Sequence, residues 1–293
     1  MKYFIHAVKF TSVSITGSAC WLNCRFCRGR YLRHMTPLPR ERVLEVLGEL
    51  YEQGVRGVLV SGGFTRSGVL PVEEFIESLR EAKRRYGFVF NIHPGLQRSR
   101  EVLGRLREVV DVVDYEFTLS DYIAKYIRGL PFNTSVYSEV LELMVEEGLH
   151  VVPHLYLWHP GFTIEVFKKE LKTVEDYGLE EATLLVYIPE SKLVGEPPAS
   201  ILVENLREAR RVFNGRLYLG CMRPHGVKRE LDTVAVREGL VERVANPHPS
   251  LLNEDSELYD ACCSIPGHLL ENFRVKAARS HGNHSLKAES MGG

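Results

Sequence analysis

Hydrophobic positions fall into two kinds of segment that alternate along the chain. Short apolar runs rich in β-branched residues predict strands, and longer segments with apolar residues three or four positions apart predict helices. The first predicted helix shows this spacing clearly and is followed by Gly54, a typical residue after a helix end. The predicted strands cover residues 12–16, 58–60, 88–92, 112–119, 150–158, 182–188, 216–219 and 241–245. The predicted helices cover residues 39–52, 72–85, 100–109, 121–127, 138–147, 164–177, 201–213 and 228–237.

This alternation predicts an α/β fold with a parallel sheet, because parallel neighbours need a crossover connection. Eight strand–helix cycles favour a (β/α)8 barrel of the TIM type, full or nearly full. An open partial barrel of about six strands is the alternative. We expect one domain over residues 1–273, and the polar residues 274–293 are predicted to form a mobile tail.

Composition narrows the classes of function. The 293 residues are 44% hydrophobic and 26% charged, with a net charge of −1, which is typical of a soluble globular domain. This charge balance gives no reason to expect nucleic acid or a membrane as a partner, and no apolar run reaches the length of a membrane span. The first residues contain no apolar signal segment, so we expect a cytoplasmic protein with reduced thiols rather than disulfides.

Three of the six cysteines stand close together directly after the first predicted strand. Cys20, Cys24 and Cys27 have the spacing C-x3-C-x2-C. Three thiolates so close together could hold three irons of a cubane 4Fe-4S cluster and leave the fourth iron open for a substrate. Phe26 could shield one side of the cluster and offer its face to a flat ligand. A structural zinc site is the alternative, and its fourth ligand would come from elsewhere, for example His34.

The segment Cys20-Trp-Leu-Asn-Cys24-Arg-Phe-Cys27 resembles the signature of the radical S-adenosylmethionine (SAM) superfamily. The resemblance implies that the open iron binds the amino and carboxylate groups of SAM. It also implies that the reduced cluster cleaves SAM to methionine and a 5′-deoxyadenosyl radical, which requires an electron donor such as ferredoxin or flavodoxin.

A glycine pair after the second predicted strand extends the expected cofactor site. In a parallel barrel the active site lies at the C-terminal ends of the strands, where Ser61, Gly62, Gly63 and Phe64 follow residues 58–60. Glycines here let the backbone come close to a ligand. The resemblance implies that backbone groups of this segment bind the amino group of SAM, although Phe64 replaces the acidic residue of the family's GGE-like motif.

Polar side chains near other strand ends are further candidates for binding the cofactor. His93 follows the third predicted strand, and Glu116 and His154 lie near the ends of the fourth and fifth. Glu116 or His154 could accept hydrogen bonds from the ribose of SAM. The alternative for each is a satisfied polar residue of the barrel wall, or one that points outward. The resemblance implies that Ile188 contacts adenine.

The remaining cysteines, Cys221, Cys262 and Cys263, follow the last two predicted strands. Barrel topology therefore places all three at the catalytic end, although they are far apart in sequence. They are predicted to hold a second, auxiliary 4Fe-4S cluster. The alternative is that one or two of them are ordinary buried thiols.

A second cluster in the same barrel resembles the arrangement of biotin synthase and lipoyl synthase, which insert sulfur. The Cys-Met-Arg-Pro segment at Cys221, together with Cys262 and Cys263, is similar to the archaeal two-protein lipoyl synthase. This resemblance implies removal of hydrogen from an unactivated carbon and sulfur insertion from the auxiliary cluster, in lipoyl cofactor biosynthesis. The expected substrate is an octanoyl-lysine on a carrier protein or peptide, and a second, related radical SAM subunit is an expected partner.

Two other functions stay open at this point. One is a radical SAM isomerase, methylase or cofactor-maturation enzyme, in which the second cluster anchors the substrate or passes electrons. The other is a non-enzymatic scaffold with zinc at the N-terminal cysteines.

Overall fold

Twelve strands form one sheet that curves into a partial barrel, and helices pack against it. The computed structural model describes residues 1–188 and 195–275. The strands are β1 (Lys2–Ile5), β2 (Phe10–Ser14), β3 (Thr36–Pro37), β4 (Gly57–Ser61), β5 (Val89–Ile92), β6 (Val112–Glu116), β7 (Val151–Trp158), β8 (Glu181–Val186), β9 (Arg216–Leu219), β10 (Arg243–Ala245), β11 (Glu257–Asp260) and β12 (Arg274–Val275).

Seven α-helices are present in the described residues, at intervals close to those predicted. They are α1 (Val43–Glu52), α2 (Ile76–Tyr86), α3 (Arg100–Arg107), α4 (Ser135–Glu146), α5 (Ile164–Asp176), α6 (Ala199–Val212) and α7 (His225–Arg237). A π-helical segment covers Tyr122–Ile127, and short 3-10 segments cover Arg30–His34, Arg40–Arg42, Glu73–Phe75, Pro249–Leu251 and Gly267–Phe273. Among residues 1–188 and 195–275, none of these helices has both the length and the apolar character that crossing a bilayer requires.

The predicted α/β fold with a barrel-like parallel sheet is confirmed. The eight predicted strands are β2 and β4 to β10, and they lie side by side in chain order. The sheet then continues from β10 to β1, β11 and the antiparallel β12, and β3 lies beyond β2 at the other edge. In the part of the chain that the structure describes, the hydrogen-bonded ladder runs from β12 to β3, so the barrel is partial.

The sequence analysis missed β1, β3, β11 and β12. Each has two or four residues, and none contains an apolar β-branched run of the kind that predicted the other strands. Because Arg274 and Val275 pair with β11, the sheet extends two residues into the segment predicted as a tail. The rest of that segment, residues 276–293, lies outside the described residues.

A buried apolar cluster fills the barrel interior at the N-terminal ends of the strands. Phe10, Val89, Val112 and Val152, from four different strands, belong to this cluster, and Phe273 packs edge-on against Phe10 with ring centroids 6.0 Å apart. Side chains on a strand face the same side at every second position. Two residues after Val89, Val112 and Val152, the same inward face carries polar side chains, and these belong to the candidate site.

The carboxylate of Asp260 links β11, near one end of the sheet, to the segment that leads into β2, near the other end. Its oxygens accept hydrogen bonds from the backbone N–H groups of Ala7 (2.8 Å), Val8 (2.6 Å) and Lys9 (2.6 Å). These three residues connect β1 to β2, whereas Asp260 ends β11. The hydrogen bonds thus fix the segment where the chain crosses from one part of the barrel to the other.

A buried ion pair fixes the segment that follows β9. The Arg223 guanidinium bonds both oxygens of Asp232 on α7, at 3.1 and 3.2 Å, and neither side chain is accessible to solvent. Arg223 also donates to the carbonyl oxygens of Gly220 and Ala245, the latter at 2.8 Å. Cys221 lies between these anchored residues, so its position depends on the pair.

We predict that Asp232→Ala lowers the free energy of unfolding by about 3–5 kcal/mol, because it leaves a buried guanidinium without its counter-charge. Denaturant unfolding followed by circular dichroism measures the change. Asp176→Ala, which removes an exposed partner of Lys172, is the matched control and should leave stability nearly unchanged. A loss below about 1 kcal/mol for Asp232→Ala would contradict the prediction.

Candidate functional site

The loop after β2 carries the C-x3-C-x2-C motif and is held by the loop after β4. The backbone N–H groups of Trp21 and Leu22 both donate to the carbonyl oxygen of Phe64, at 3.0 and 2.9 Å. The sulfur of Cys20 lies 4.0 Å from the same oxygen. The two loops predicted to share the C-terminal end of the barrel are therefore in direct contact.

The cysteine loop packs so closely against Gly63 that no side chain fits at this position. Its N–H donates to the Thr16 hydroxyl at 2.6 Å, and that hydroxyl donates to the carbonyl oxygen of Ala19 at 2.8 Å. A Cβ on Gly63 would lie 1.8 Å from that carbonyl oxygen and 2.5 Å from the Cα of Cys20. A Cβ on Gly62 would be 3.0 Å from the Thr16 hydroxyl oxygen. The glycine pair thus lets the cysteine loop pack closely on β4.

Arg128 connects the cysteine loop to the barrel interior. One guanidinium nitrogen donates to the Cys24 sulfur at 3.5 Å, and the guanidinium carbon lies 4.2 Å from the centroid of the Phe26 ring. The guanidinium also binds Glu116 with two nitrogens, Nε to Oε1 at 2.6 Å and Nη2 to Oε2. The Tyr156 hydroxyl donates to Oε2 of Glu116 at 2.8 Å. Glu116, a predicted site residue, therefore faces the interior.

The three cysteines have the chemistry of metal ligands. A hydrogen bond from the Cys27 thiol lowers the pKa of Cys24 to about 5, although burial opposes the shift, and the charge of Arg128 contributes to it. The same hydrogen bond raises the pKa of Cys27, the donor. The lowered pKa favours the Cys24 thiolate, the form that binds iron or zinc. The donor set fits the three cysteine ligands of a cubane cluster.

Aromatic rings border the cysteine loop on the side of β8. The rings of Phe26 and Tyr187 have centroids 6.2 Å apart, and Tyr187 follows the end of β8. Ile188, the predicted adenine contact, is the next residue and is half-buried.

A second polar group lies deeper in the barrel around Asp114. The Asp114 carboxylate is 1% exposed and lies between two histidines, with His93 Nε2 3.5 Å from Oδ2 and His154 Nε2 3.4 Å from Oδ1. The Asn91 side-chain amide donates to Oδ2 at 2.8 Å, and the Ser61 hydroxyl lies 3.5 Å from Nδ1 of His93. The structure thus brings together three predicted residues, Ser61, His93 and His154.

Asp114 is a residue that the sequence analysis missed. Burial alone would raise its pKa, but the positive charges of His154 and His93 outweigh burial and hold the pKa well below its usual value. Burial alone would lower the pKa of His154, but Asp114 outweighs it and the pKa is raised. The period of two along β6 could have revealed Asp114, because it shares the inward face with Glu116. Tyr115 faces the other way and donates to the carbonyl oxygen of Tyr137 at 3.0 Å.

The second cysteine group lies beside Asp114. The sulfur of Cys262 is 3.5 Å from Oδ2 of Asp114, and the carbonyl oxygen of Cys263 accepts a hydrogen bond from Arg243 at 2.6 Å. Both cysteines follow β11, a strand that was not predicted, rather than β10. Cys221 is accessible to solvent, but the barrel wall desolvates its thiol and raises its pKa, and nearby Cys263 and Asp114 add to the rise.

The site therefore has two parts, joined by β6. The outer part contains Cys20, Cys24, Cys27, Phe26, Gly62, Gly63, Arg128 and Glu116; the inner part contains Ser61, His93, Asp114, His154, Cys221, Cys262 and Cys263. Asp114 and Glu116 are two residues apart on one strand, which separates their backbone positions by about 7 Å. Arg128 had no recognisable signal in the sequence, because it follows a π-helical segment and belongs to no spaced motif.

Comparison with protein families gives one match over more than half of the chain. The model of the Radical SAM superfamily matches residues 14–174, which include the three cysteines of the N-terminal motif and both Asp114 and His154. The search of curated proteins finds no match.

Solved structures show the same fold at low sequence identity. Methylornithine synthase (PylB) is 14% identical with a TM-score of 0.56, over 96% of this chain and 78% of that chain. The protein anSMEcpe with bound AdoMet and the Cp18Cys peptide is 13% identical with a TM-score of 0.54, over 83% of this chain and 63% of that chain. The FeFe-hydrogenase maturase HydG from Carboxydothermus hydrogenoformans is 14% identical with a TM-score of 0.54, over 83% and 58%. This chain thus spans less than two thirds of the latter two proteins.

The family match and the cysteine loop at the C-terminal end of a parallel barrel agree. The chain belongs to the radical SAM superfamily.

Proposed function

We propose that this radical SAM protein inserts sulfur at an unactivated carbon, with Cys221, Cys262 and Cys263 as the ligands of an auxiliary 4Fe-4S cluster. The observation that carries the proposal is the position of Cys262, whose sulfur lies 3.5 Å from Asp114 in the interior of the barrel that carries the C-x3-C-x2-C loop. Cys263 belongs to the buried apolar cluster and Cys262 packs against it, so the two thiols lie where this cluster meets the polar groups around Asp114.

The residues that would hold the cofactors lie in the two parts of the site. A 4Fe-4S cluster on Cys20, Cys24 and Cys27 with SAM would supply a 5′-deoxyadenosyl radical that removes a hydrogen atom, and a sulfide of the auxiliary cluster would supply the sulfur that bonds to the carbon. Arg128 holds Cys24 and Glu116 in fixed positions. Phe26 covers one side of the cysteine loop. Ser61, Gly62, Gly63, Glu116 and Ile188 are the proposed contacts of SAM.

An apolar cluster between the two cysteine groups supports an acyl chain as the substrate. Its buried members are Ile123, Ile127, Tyr156, Leu185 and Tyr187. Phe26, next to Cys27, and Met222, next to Cys221, both pack against this cluster. An alkyl chain lying along it would be in contact with apolar side chains from one cysteine group to the other. We therefore propose an octanoyl-lysine on a carrier protein or peptide, in lipoyl cofactor biosynthesis, with a second, related radical SAM subunit as a partner.

The surface over Cys24 supports an acidic electron donor such as ferredoxin or flavodoxin. Arg25 and Lys125 are exposed beside a surface hollow that Cys24 also lines. Trp21 and Tyr126 are 56% and 62% exposed in the same region. Large aromatic side chains and arginine are enriched at protein interfaces, and positive charge steers an acidic partner to its site.

Iron and sulfide content after anaerobic reconstitution tests the auxiliary cluster. The native protein is expected to hold about eight irons, and the Cys221/Cys262/Cys263 triple alanine variant about four. About four irons in both proteins would remove the auxiliary cluster and leave a radical SAM enzyme of another outcome, such as an isomerase, methylase or cofactor-maturation enzyme. Colourless protein with zinc and without sulfide would instead indicate a non-enzymatic scaffold.

Single alanine variants separate the two cysteine groups. Cys24→Ala is expected to abolish SAM cleavage, because it removes a ligand of the first cluster. Cys221→Ala is expected to keep SAM cleavage and to lose product, because only the sulfur source is affected. Methionine, 5′-deoxyadenosine and sulfur-containing product are measured by mass spectrometry. Full product formation by Cys221→Ala would disprove the sulfur-donor role.

Charge reversal tests the surface for the electron donor. Arg25→Glu with Lys125→Glu is expected to slow SAM cleavage driven by reduced ferredoxin about tenfold at low salt, because a repulsive charge lowers the association rate. Cleavage driven by dithionite should be unchanged. Arg211→Glu, an exposed arginine on α6, is the control and should affect neither rate. Equal ferredoxin-driven rates in the double variant and the native protein would contradict the assignment.

A further inference from the structure

We propose that His93, Asp114 and His154 bind one divalent first-row transition-metal ion, such as Zn²⁺ or Fe²⁺, in the barrel interior. This site is separate from the C-x3-C-x2-C loop, and none of its three ligands is a cysteine. The proposal rests on geometry around Asp114 and does not depend on the sulfur-insertion function. It replaces the expectation that the two histidines contact SAM.

The distances between the three side chains match those across a metal centre. One ligand atom from each residue lies within 4.8 Å of the other two. The two histidine nitrogens are 3.5 and 3.4 Å from the Asp114 oxygens that they face. Ligands about 2.1 Å from a tetrahedral metal ion are about 3.4 Å from one another, so an ion fits between them.

Direct hydrogen bonding does not explain this arrangement. Oδ1 of Asp114 and Nε2 of His154 are buried and make no hydrogen bond with any described residue. A direct histidine–carboxylate bond elsewhere in the protein, from His150 Nε2 to Glu181, is 2.9 Å long. Buried polar atoms are nearly always paired. The longer distances around Asp114 therefore indicate a ligand that bridges the two groups.

Unpaired polar atoms are concentrated around this position. In residues 1–188 and 195–275, five buried side-chain polar atoms have no hydrogen-bond partner, and four of them belong to Asn91, Asp114, His154 and Thr183. Thr183 lies opposite His154 in the pairing of β7 with β8. Such a concentration of unmet hydrogen-bonding groups is typical of a space that holds an ion or ordered water.

The surrounding groups orient the proposed ligands. The Asn91 amide donates to Oδ2 of Asp114 at 2.8 Å and so fixes the carboxylate with Oδ1 facing His154 and Oδ2 facing His93. The Ser61 hydroxyl lies 3.5 Å from Nδ1 of His93, which leaves Nε2 for the ion. Histidine ligands of metals usually bond a neighbour through their other ring nitrogen, and ligand carboxylates are usually hydrogen-bonded as well.

The donor set indicates the class of metal. Two imidazoles and one carboxylate favour zinc, iron or cobalt, whereas magnesium and calcium prefer oxygen ligands throughout. Three protein ligands leave at least one coordination position open. A substrate group or water takes that position, because Cys262 is the proposed ligand of the auxiliary cluster.

Cobalt binding tests the site. The experiment uses the Cys221/Cys262/Cys263 triple alanine variant with its N-terminal cluster reconstituted, so that thiols do not compete for the probe. After treatment with a chelator, titration with Co²⁺ is expected to show one bound ion per chain with visible absorption. Adding His154→Ala or Asp114→Asn should weaken binding at least about tenfold. Adding His150→Ala, which removes a histidine that faces Glu181, should leave binding unchanged.

Absence of bound Co²⁺ in the folded background protein, or unchanged binding after His154→Ala, would overturn the proposal. If the triple alanine background does not fold, native protein and His154→Ala carry the comparison, because their cysteines are identical. Iron and sulfide counts on the same samples keep the two proposals apart. His154→Ala that loses Co²⁺ but still holds about eight irons would support the new site together with the auxiliary cluster.

Discussion

The contact of Arg128 with both Cys24 and Glu116 is the interaction on which the geometry of the site depends. A half-buried guanidinium is costly to desolvate, and good partners on every side are needed to offset the cost. Arg128 has such partners: a thiol of low pKa, an aromatic face and a carboxylate bound by two nitrogens. Because Glu116 ends β6, this contact fixes the position of the cysteine loop relative to the sheet.

From Glu116 the interior is organised by the two-residue period of the strands. Asp114 lies two residues before Glu116 on β6, and Val112, two residues before Asp114, belongs to the buried apolar cluster. Each of these positions has its own chemistry. Glu116 contacts the segment that holds the cysteine loop, Asp114 lies among polar groups, and Val112 lies in the buried apolar cluster. Parallel barrels separate stability and function in this way, with the chemistry at the C-terminal ends of the strands.

The sequence predicted the features that are local and missed those that depend on distant contacts. The C-x3-C-x2-C spacing lies within one loop, and eight strands had readable apolar patterns, so both could be predicted. The role of Arg128 depends on a contact with a residue 104 positions away. The link between β11 and the segment that leads into β2 depends on Asp260, which bonds backbone groups more than 250 positions away. The period of two along β6 could have indicated that Asp114 faces inward, but its partners come from other strands and could not be predicted.

The inner and outer parts of the site differ in the charge of their buried groups. Asp114 is ionised and buried, and the two Cys262 and Cys263 thiols next to it would add negative charge if they lost their protons. Buried negative groups this close repel one another strongly unless a cation lies among them. His154 supplies part of that positive charge. A metal ion bound through the two imidazoles would take the place of the proton on His154, because a protonated ring nitrogen cannot be a ligand. The inner part thus places a buried carboxylate beside thiols, in contrast to the outer part, where Arg128 provides positive charge.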